Sequence, residues 1–109
     1  MDWDDFSHWG KHISDWAAQY HKTIANRPVR ARTRPGEIST QLPKLPPDSA
    51  EPMAEILGDF EQIVMPGMTH WQHPRFFAYF PANAAPPSML ADMLVTTIAA
   101  QCMLWQTSP

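Results

Sequence analysis

The sequence predicts a mainly α-helical fold in which three helices are joined by proline-rich extended segments. Two stretches repeat apolar residues at steps of three and four, the spacing of one helix face, and a third opens on two prolines and continues as an apolar run. Most of the 12 prolines lie between these stretches, where they interrupt helices because proline lacks a backbone donor. A length of 109 residues suffices for one modest domain.

The first predicted helix carries an aromatic stripe. Its acidic start, Asp2 to Asp5, suits a helix N-terminus, where carboxylates cap amides and complement the helix dipole. Pro28 ends the helix because the residue before a proline avoids helical geometry. So many rings on one face need a partner, either the rest of a small domain or a second subunit. The stripe consists of Phe6, Trp9, Ile13, Trp16, Tyr20 and Ile24.

The second predicted helix starts around Ser49 to Pro52 and ends at Met65-Pro66-Gly67. Between residues 27 and 47, five prolines and a Pro35-Gly36 turn predict an extended strap that becomes ordered when docked. After the second helix, the stretch from Arg75 to Phe80 is interpreted as a short strand. The apolar face of the helix consists of Met53, Ile56, Leu57, Phe60 and Ile63 or Val64.

The third predicted helix follows Pro86 and Pro87, with Ser88 as its N-cap, and extends to about Trp105. It is apolar on nearly every side, which is typical of a buried element. Its one carboxylate, Asp92, is therefore expected to be paired or hydrogen-bonded. Because a domain rarely ends in so apolar a helix, we expect the chain to be a piece of a longer protein.

Composition argues against several classes of protein. Eight Lys and Arg against 11 Asp and Glu give no basic surface for nucleic acid, and the arginines of residues 27–34 are interpreted as a solvated linker. The acidic start does not fit a signal peptide, and the apolar run from Met89 to Trp105 is too short and too polar for a membrane span. The single cysteine fits a reducing compartment. We therefore expect a soluble, cytoplasmic protein that binds neither nucleic acid nor a membrane.

Few residues suggest chemistry of their own. His70 and His73 lack further ligands at suitable spacing, so they are interpreted as histidines hydrogen-bonded in a turn, and no metal site is expected. Cys102 is predicted to pack within the apolar helix rather than to act as a nucleophile. The four glycines are scattered singly, which argues against a phosphate cradle. The rings between Trp71 and Phe80 form either core or one side of a pocket for a flat apolar ligand.

Several segments carry a resemblance to a known family. They are Ile63-Val-Met-Pro-Gly-Met-Thr-His-Trp71, His73-Pro74, Phe76-Phe-Ala-Tyr-Phe-Pro81, Ser88-Met-Leu-Ala-Asp-Met-Leu94, Trp105 and Ser108-Pro109. Through them the chain resembles the N-terminal portion of the group II pyridoxal-phosphate-dependent amino-acid decarboxylases, most closely the aromatic-L-amino-acid decarboxylases. Weaker similarity continues back through the first helix, so the likeness spans essentially the whole chain.

The resemblance implies part of a fold type I α/β enzyme that works as a homodimer. Residues 1–85 would be an N-terminal helical segment that wraps over the partner subunit and carries an aromatic pocket loop. Residues 86–109 would be the truncated first helix of the large cofactor-binding domain. The implied activity is loss of the α-carboxylate from an aromatic L-amino acid, with pyridoxal 5'-phosphate as the electron sink. The implied partners are the remainder of the polypeptide, the second subunit and the amino-acid substrate.

The resemblance also implies roles for seven residues. Gln101 and Met103 match positions that reach the neighbouring subunit's active site. Ala82 stands where the animal enzymes commonly have threonine, and Gln101 where the family often has apolar or aromatic groups, so the substrate stays open. The positions that match the substrate side-chain pocket are Trp71, Tyr79, Phe80, Pro81 and Ala82.

The cofactor-binding lysine, aspartate and histidine of the family would lie beyond this chain. Lys11, Lys22 and Lys44 are not in the expected context, so we expect no catalytic and no cofactor-binding residue here, and an inactive chain when alone. These residues do not decide between decarboxylation and oxidative deamination. The alternative is a non-catalytic helical dimerisation or interaction module from a truncated gene product.

Overall fold

The computed structural model describes residues 1–80 and 83–106, and it is helical throughout its regular parts. The α-helices are α1 (Trp3–Thr23), α2 (Met53–Asp59) and α3 (Pro86–Ile98). The chain divides into two compact units, Met1–Ala78 and Tyr79–Pro109. The predicted mainly α fold of three helices is therefore confirmed.

Helix α1 begins and ends close to the predicted residues. The Asp2 carboxylate accepts hydrogen bonds from the backbone N–H groups of Asp4 (2.9 Å) and Asp5 (2.8 Å), which satisfies two donors that a helix start leaves unpaired. After Thr23 a 3-10 turn, Ile24–Asn26, closes the helix before Pro28. Ile24 is buried and Trp9, Trp16 and Tyr20 are half-buried, whereas Phe6 and Ile13 are exposed. The first unit therefore covers the aromatic stripe only in part.

The strap is less extended than predicted. Consecutive turns occupy residues 35–41, and they are closed by backbone bonds from Glu37 to Arg34 and from Thr40 to Gly36. Gly36 has φ 85°, a left-handed conformation that glycine adopts without steric cost, which explains why the turn forms here.

Helix α2 continues beyond its regular part. It begins after Pro52, passes into a π-helical turn over Phe60–Val64 and ends in a 3-10 turn over Met65–Gly67. The predicted end at Met65-Pro66-Gly67 is confirmed. In the π-helical turn the Met65 N–H donates to the Phe60 carbonyl, five residues back, so the turn holds one residue more than an α-helical turn.

The predicted strand from Arg75 to Phe80 is wrong, and the residues described by the structure contain no strand at all. The Phe76 N–H donates to the His73 carbonyl at 2.9 Å, which closes a turn where the strand would begin. Tyr79 has φ 57°, a left-handed conformation that does not continue an extended chain.

Helix α3, in the second unit, starts earlier than predicted. Its N-cap is Ala85, and the predicted cap Ser88 is instead the third residue of the helix. The Ser88 hydroxyl donates to the Ala85 carbonyl (2.8 Å), while the Ala85 N–H donates to Ser88 Oγ (3.2 Å). Pro86 and Pro87 fit inside the first turn because those positions need no backbone donor.

Helix α3 also ends earlier than predicted, at Ile98 rather than near Trp105. Ala99 adopts a left-handed conformation (φ 48°) and its N–H donates to the Thr96 carbonyl, which closes the helix. Cys102 consequently lies beyond the helix and is exposed, so its predicted packing within a helix is wrong.

Helix α3 is exposed in this chain, as expected if the rest of a longer protein covers it. Leu90, Leu94 and Ile98 are each more than half exposed, and Asp92 is exposed as well. The cover expected for this helix is therefore not provided by the described residues. Within residues 1–80 and 83–106, no helix has both the length and the apolar character that crossing a membrane requires.

Candidate functional site

One buried histidine joins three segments of the first unit. His70 is 4% exposed, and its Nδ1 lies 2.8 Å from the hydroxyl of Tyr20 on α1. The His70 backbone N–H donates to the Val29 carbonyl of the strap at 2.9 Å. Helix α1, the strap (residues 27–47) and the aromatic loop after α2 (residues 70–76) therefore meet at this residue.

Two neighbours hold the Tyr20 ring. Trp16, one turn earlier on α1, stacks on it with centroids 5.4 Å apart and an angle of 12° between the planes. The Arg27 guanidinium carbon lies 5.3 Å from the Tyr20 ring centroid, which is a cation–π distance. Arg27 is half-buried, so the prediction of a solvated linker is wrong at this residue, whereas Arg30, Arg32 and Arg34 are exposed as predicted.

Burial keeps both hydrogen-bonded groups neutral. Burial lowers the pKa of His70, and the positive charge of Arg27 and the proximity of His73 lower it further. Burial raises the pKa of Tyr20, against the smaller opposing influence of Arg27. Near neutral pH the contact is therefore a hydrogen bond between two neutral groups.

The aromatic loop after α2 consists of two consecutive turns. The His73 N–H donates to the His70 carbonyl at 3.0 Å, which makes Trp71 and Gln72 the two corner residues of the first turn. The second turn is closed by the bond from Phe76 to His73, and the Arg75 N–H donates to His73 Nδ1 at 3.0 Å. The prediction of two histidines hydrogen-bonded in a turn is confirmed.

Trp71 stands at the corner of the first turn. Its ring centroid lies 4.9 Å from that of Phe76 with the planes tilted by 39°, and 45% of the residue is exposed. The geometry of the two turns thus holds a tryptophan ring with one side on a neighbouring aromatic and a large area open to a ligand.

The other predicted site residues belong to the second unit. Tyr79 and Phe80 are strongly exposed (82% and 103%), and Gln101 and Met103 are exposed too. A left-handed conformation in a bulky residue such as Tyr79 costs about 1–3 kcal/mol and is concentrated at functional positions. Pro81 and Ala82 lie outside the described residues.

The Tyr20–His70 contact is the feature that the sequence did not reveal. Tyr20 was assigned to an apolar stripe and His70 to a turn, and 50 residues separate them in the chain. No spacing rule links positions so far apart, because such rules describe neighbours within one helix or strand. The aromatic identity of Tyr20 was the only local signal, and it indicated packing.

The described residues do not fit pyridoxal 5'-phosphate as a resident group. All three lysines are exposed, and Lys11 and Lys22 lie on α1, away from any glycine-rich loop. Gly10 and Gly58 lie singly inside α1 and α2, so neither belongs to a glycine-rich loop at a helix N-terminus, where a phosphate would bind. Among residues 1–80 and 83–106, no three His, Cys, Asp or Glu side chains are grouped to hold a metal ion.

Comparison with protein families gives one match that covers most of the chain. Residues 35–109 match the pyridoxal-dependent decarboxylase conserved domain. The aromatic-L-amino-acid decarboxylase of Cavia porcellus is 41% identical over 109 residues, which are 100% of this chain and 23% of that enzyme. The histidine decarboxylase of Rattus norvegicus is 40% identical over 100 residues, or 92% of this chain and 15% of that enzyme.

A solved structure agrees in fold as well. The crystal structure of Rhodiola rosea 4-hydroxyphenylacetaldehyde synthase matches with a TM-score of 0.92 and 38% identity, over 100% of this chain and 23% of that one. The chain therefore spans less than a quarter of the length of these relatives.

Proposed function

We propose that the polypeptide carrying this chain, which belongs to the pyridoxal-dependent decarboxylase family, removes the α-carboxylate of aromatic L-amino acids. The helices described above are the N-terminal part of a fold type I enzyme. The observation that carries the substrate class is the exposure of the Tyr79 and Phe80 rings, together with the left-handed backbone at Tyr79.

Aromatic side chains that are this exposed gain free energy when another group buries them, and a flat substrate ring can do so. Burying an aromatic side chain that is otherwise in water contributes about 1.5–3 kcal/mol, and stacked or edge-on ring pairs add to that. A substrate ring bound against Tyr79 and Phe80 would gain such burial, and Trp71 would contribute it by the same principle. We infer that Pro81 and Ala82, the next residues along the chain, belong to the same substrate side-chain pocket.

The role of this chain in the reaction is to bind and orient the substrate. When bound in the full-length enzyme, the pyridoxal group supplies the electron sink for loss of the carboxylate. The described residues do not fit that group, so the chain's own part is limited to holding the substrate ring and excluding water from it. That the 109-residue chain alone binds no cofactor remains a prediction, and an absorbance band of a bound cofactor in the purified chain would contradict it.

The assembly follows from the same proposal. Residues 1–85 wrap over a second subunit, and residues 86–109 open the large domain, with Gln101 and Met103 reaching the partner's active site. The exposed apolar face of α3 and the open start of the α1 stripe support a cover of this kind, because exposed apolar surfaces of this extent mark interaction sites.

Two relatives indicate which other substrate and which other product an experiment must distinguish. One is a histidine decarboxylase and another a 4-hydroxyphenylacetaldehyde synthase, so a smaller polar ring and an aldehyde product are the competing outcomes. Ala82 carries no hydroxyl that could bind a polar substituent of the substrate. We therefore expect aromatic rings without a requirement for ring hydroxyl groups.

A non-catalytic dimerisation module is the second candidate. The exposure of α3 favours it to the same degree, since self-association would also cover that face. Mass spectrometry of the cellular protein separates the two: a species much heavier than 12.4 kDa supports the enzyme, and a 12.4 kDa species alone supports the module.

Alanine variants of the full-length polypeptide test the pocket. We expect Phe80→Ala and Tyr79→Ala to lower kcat/KM for aromatic amino acids by a factor that corresponds to about 1–3 kcal/mol of transition-state binding. Phe77→Ala is the matched control, because Phe77 is a neighbouring ring that is 91% exposed but matches no pocket position. Equal effects of all three variants, or none, would remove Tyr79 and Phe80 from the pocket.

A further inference from the structure

We propose that Tyr20 is a positioning residue for the substrate pocket: its hydroxyl fixes His70 and so sets the orientation of Trp71. The inference rests on the proposed function, since it matters only if Trp71 contacts the substrate. Tyr20 lies on α1, and in this proposal it acts through His70 rather than by contact with the substrate.

The first step is that Tyr20 presents its hydroxyl in one place. Its ring is stacked on Trp16 (5.4 Å) and lies under Arg27 (5.3 Å), so rotation of the ring would break two contacts. Trp16 is itself held, because its Nε1–H donates to Glu61 Oε1 at 2.6 Å. The hydroxyl is therefore pre-oriented by helix packing before the loop reaches it.

The second step is that His70 is held at both its side chain and its backbone. The Tyr20 contact at 2.8 Å fixes the ring, and the bond to the Val29 carbonyl at 2.9 Å fixes the main chain. Only the first of these bonds can be removed by a side-chain substitution. At 4% exposure, His70 has no room to adopt another ring position without leaving its site.

The third step carries the restraint to Trp71. His70 is the first residue of the turn whose carbonyl accepts the His73 N–H, and Trp71 is the next residue. A shift of His70 therefore changes the direction in which the Trp71 ring leaves the turn and its 4.9 Å contact with Phe76. A ring displaced from the substrate loses part of its van der Waals contact with it, which weakens substrate binding.

The test is Tyr20→Phe in the full-length polypeptide with its cofactor. This variant keeps the stacked ring and removes only the hydroxyl. We expect the KM for aromatic substrates to rise about threefold to tenfold, the usual effect of one hydrogen bond, with kcat changed less than about twofold. Thr23→Val is the matched control, because it removes one side-chain hydrogen bond of the same helix, to the Gln19 carbonyl, and no partner of Tyr20 or His70, and its KM is expected to stay unchanged.

A double variant distinguishes positioning from a general loss of stability. If Tyr20 acts through Trp71, Tyr20→Phe adds no further rise in KM to an enzyme that already carries Trp71→Ala. Additive effects, or an unchanged KM in Tyr20→Phe alone, overturn the inference. If the unmodified enzyme decarboxylates no aromatic amino acid, it is the proposed function that fails.

Substitution of His70 gives a second route should Tyr20→Phe fail to fold. His70→Asn places an amide group, which can accept or donate, close to the position of Nδ1, so it keeps a hydrogen-bond partner for the Tyr20 hydroxyl and is expected to keep the KM. His70→Leu removes that partner and is expected to raise the KM. Equal KM values for the two His70 variants would contradict the positioning role.

Discussion

The Tyr20 hydroxyl and His70 Nδ1 lie 2.8 Å apart, although 50 residues of chain separate them. This contact brings helix α1 to the loop that carries Trp71. Both groups are neutral because burial disfavours their charged forms, which has a direct consequence for stability against pH.

The first prediction is a loss of stability on both sides of neutral pH. The folded-state pKa of His70 is lowered, so below about pH 6.5 the unfolded state takes up a proton first and stability falls as pH decreases. The folded-state pKa of Tyr20 is raised, so above about pH 10 the unfolded state loses a proton first and stability falls as pH increases.

Thermal unfolding of the full-length polypeptide across this pH range measures both effects. Against the unmodified protein, His70→Asn should reduce the loss on the acid side, and Tyr20→Phe should reduce the loss on the alkaline side. Titrations of all other groups are common to the three proteins and cancel in the differences. Identical pH profiles would show that neither group is buried as described.

The second prediction concerns the bond between α1 and the π-helical turn. Trp16 Nε1–H donates to Glu61 Oε1 at 2.6 Å, and a neutral amide oxygen can take the same place. Glu61→Gln should therefore change the free energy of unfolding by less than about 0.5 kcal/mol, and Glu61→Ala should lower it by about 1 kcal/mol. Chemical denaturation measures both, and in a Trp16→Phe background the two variants should become equal.

The third prediction concerns the hydrogen bond that His73 Nδ1 accepts. Nδ1 accepts the Arg75 N–H at 3.0 Å, whereas the buried Nε2 has no hydrogen-bond partner among the described residues. His73→Asn keeps an acceptor two residues before the Arg75 N–H, as Asn does in many turns, while His73→Ala leaves that N–H unpaired. We expect His73→Asn to be the more stable variant by about 1 kcal/mol in equilibrium unfolding. A more stable alanine variant would show that the Nδ1 contact contributes nothing.

The fourth prediction uses two glycines with opposite surroundings. A Cβ on Gly67 would stand 2.7 Å from Ile38 Cγ1 of the strap, so Gly67→Ala should destabilise the fold by about 1–3 kcal/mol. A Cβ on Gly58, inside α2, would meet nothing within 4 Å, so Gly58→Ala should stabilise the helix by about 0.5–1 kcal/mol.

Truncating the strap residue checks the cause of the Gly67 effect. In an Ile38→Ala background the cost of Gly67→Ala should largely disappear, because the clashing methyl groups are gone. If the cost persists, the strap does not dock against the end of the second helix as the structure describes.

Local signals explain what the sequence could predict. The extent of α1 followed from its own residues, because the stripe, the acidic start and Pro28 all act within a few positions. The turn of His70 and His73 followed from Pro74 and the lack of further metal ligands. The end of α2 at Met65-Pro66-Gly67 was likewise set by residues within it.

The features that were predicted incorrectly depend on backbone conformations that several residue types can adopt. The apolar spacing of residues 53–64 does not predict a π-helical turn, because the extra residue shifts the pattern by only one position. Ala99 ends α3 in a left-handed conformation that glycine usually provides, so no glycine signalled the end. Tyr79 is a further case, since a bulky residue with positive φ is selected by its surroundings rather than by its own preference.

The pocket positions and the Tyr20–His70 contact have different origins. The pocket positions are predictions from a family resemblance, whereas the Tyr20–His70 contact follows only from the folded chain. A contact between residues so far apart depends on how the strap returns the loop to α1, and no local pattern encodes that path.

Product analysis tests the central claim most directly. The full-length polypeptide, purified with pyridoxal 5'-phosphate, would be incubated separately with L-tyrosine, L-tryptophan, L-phenylalanine and L-histidine, and the products identified by mass spectrometry. We predict carbon dioxide and the corresponding amine from the aromatic substrates, with a lower kcat/KM for L-histidine. An aldehyde in place of the amine, a preference for L-histidine, or no product from any aromatic amino acid would contradict the account.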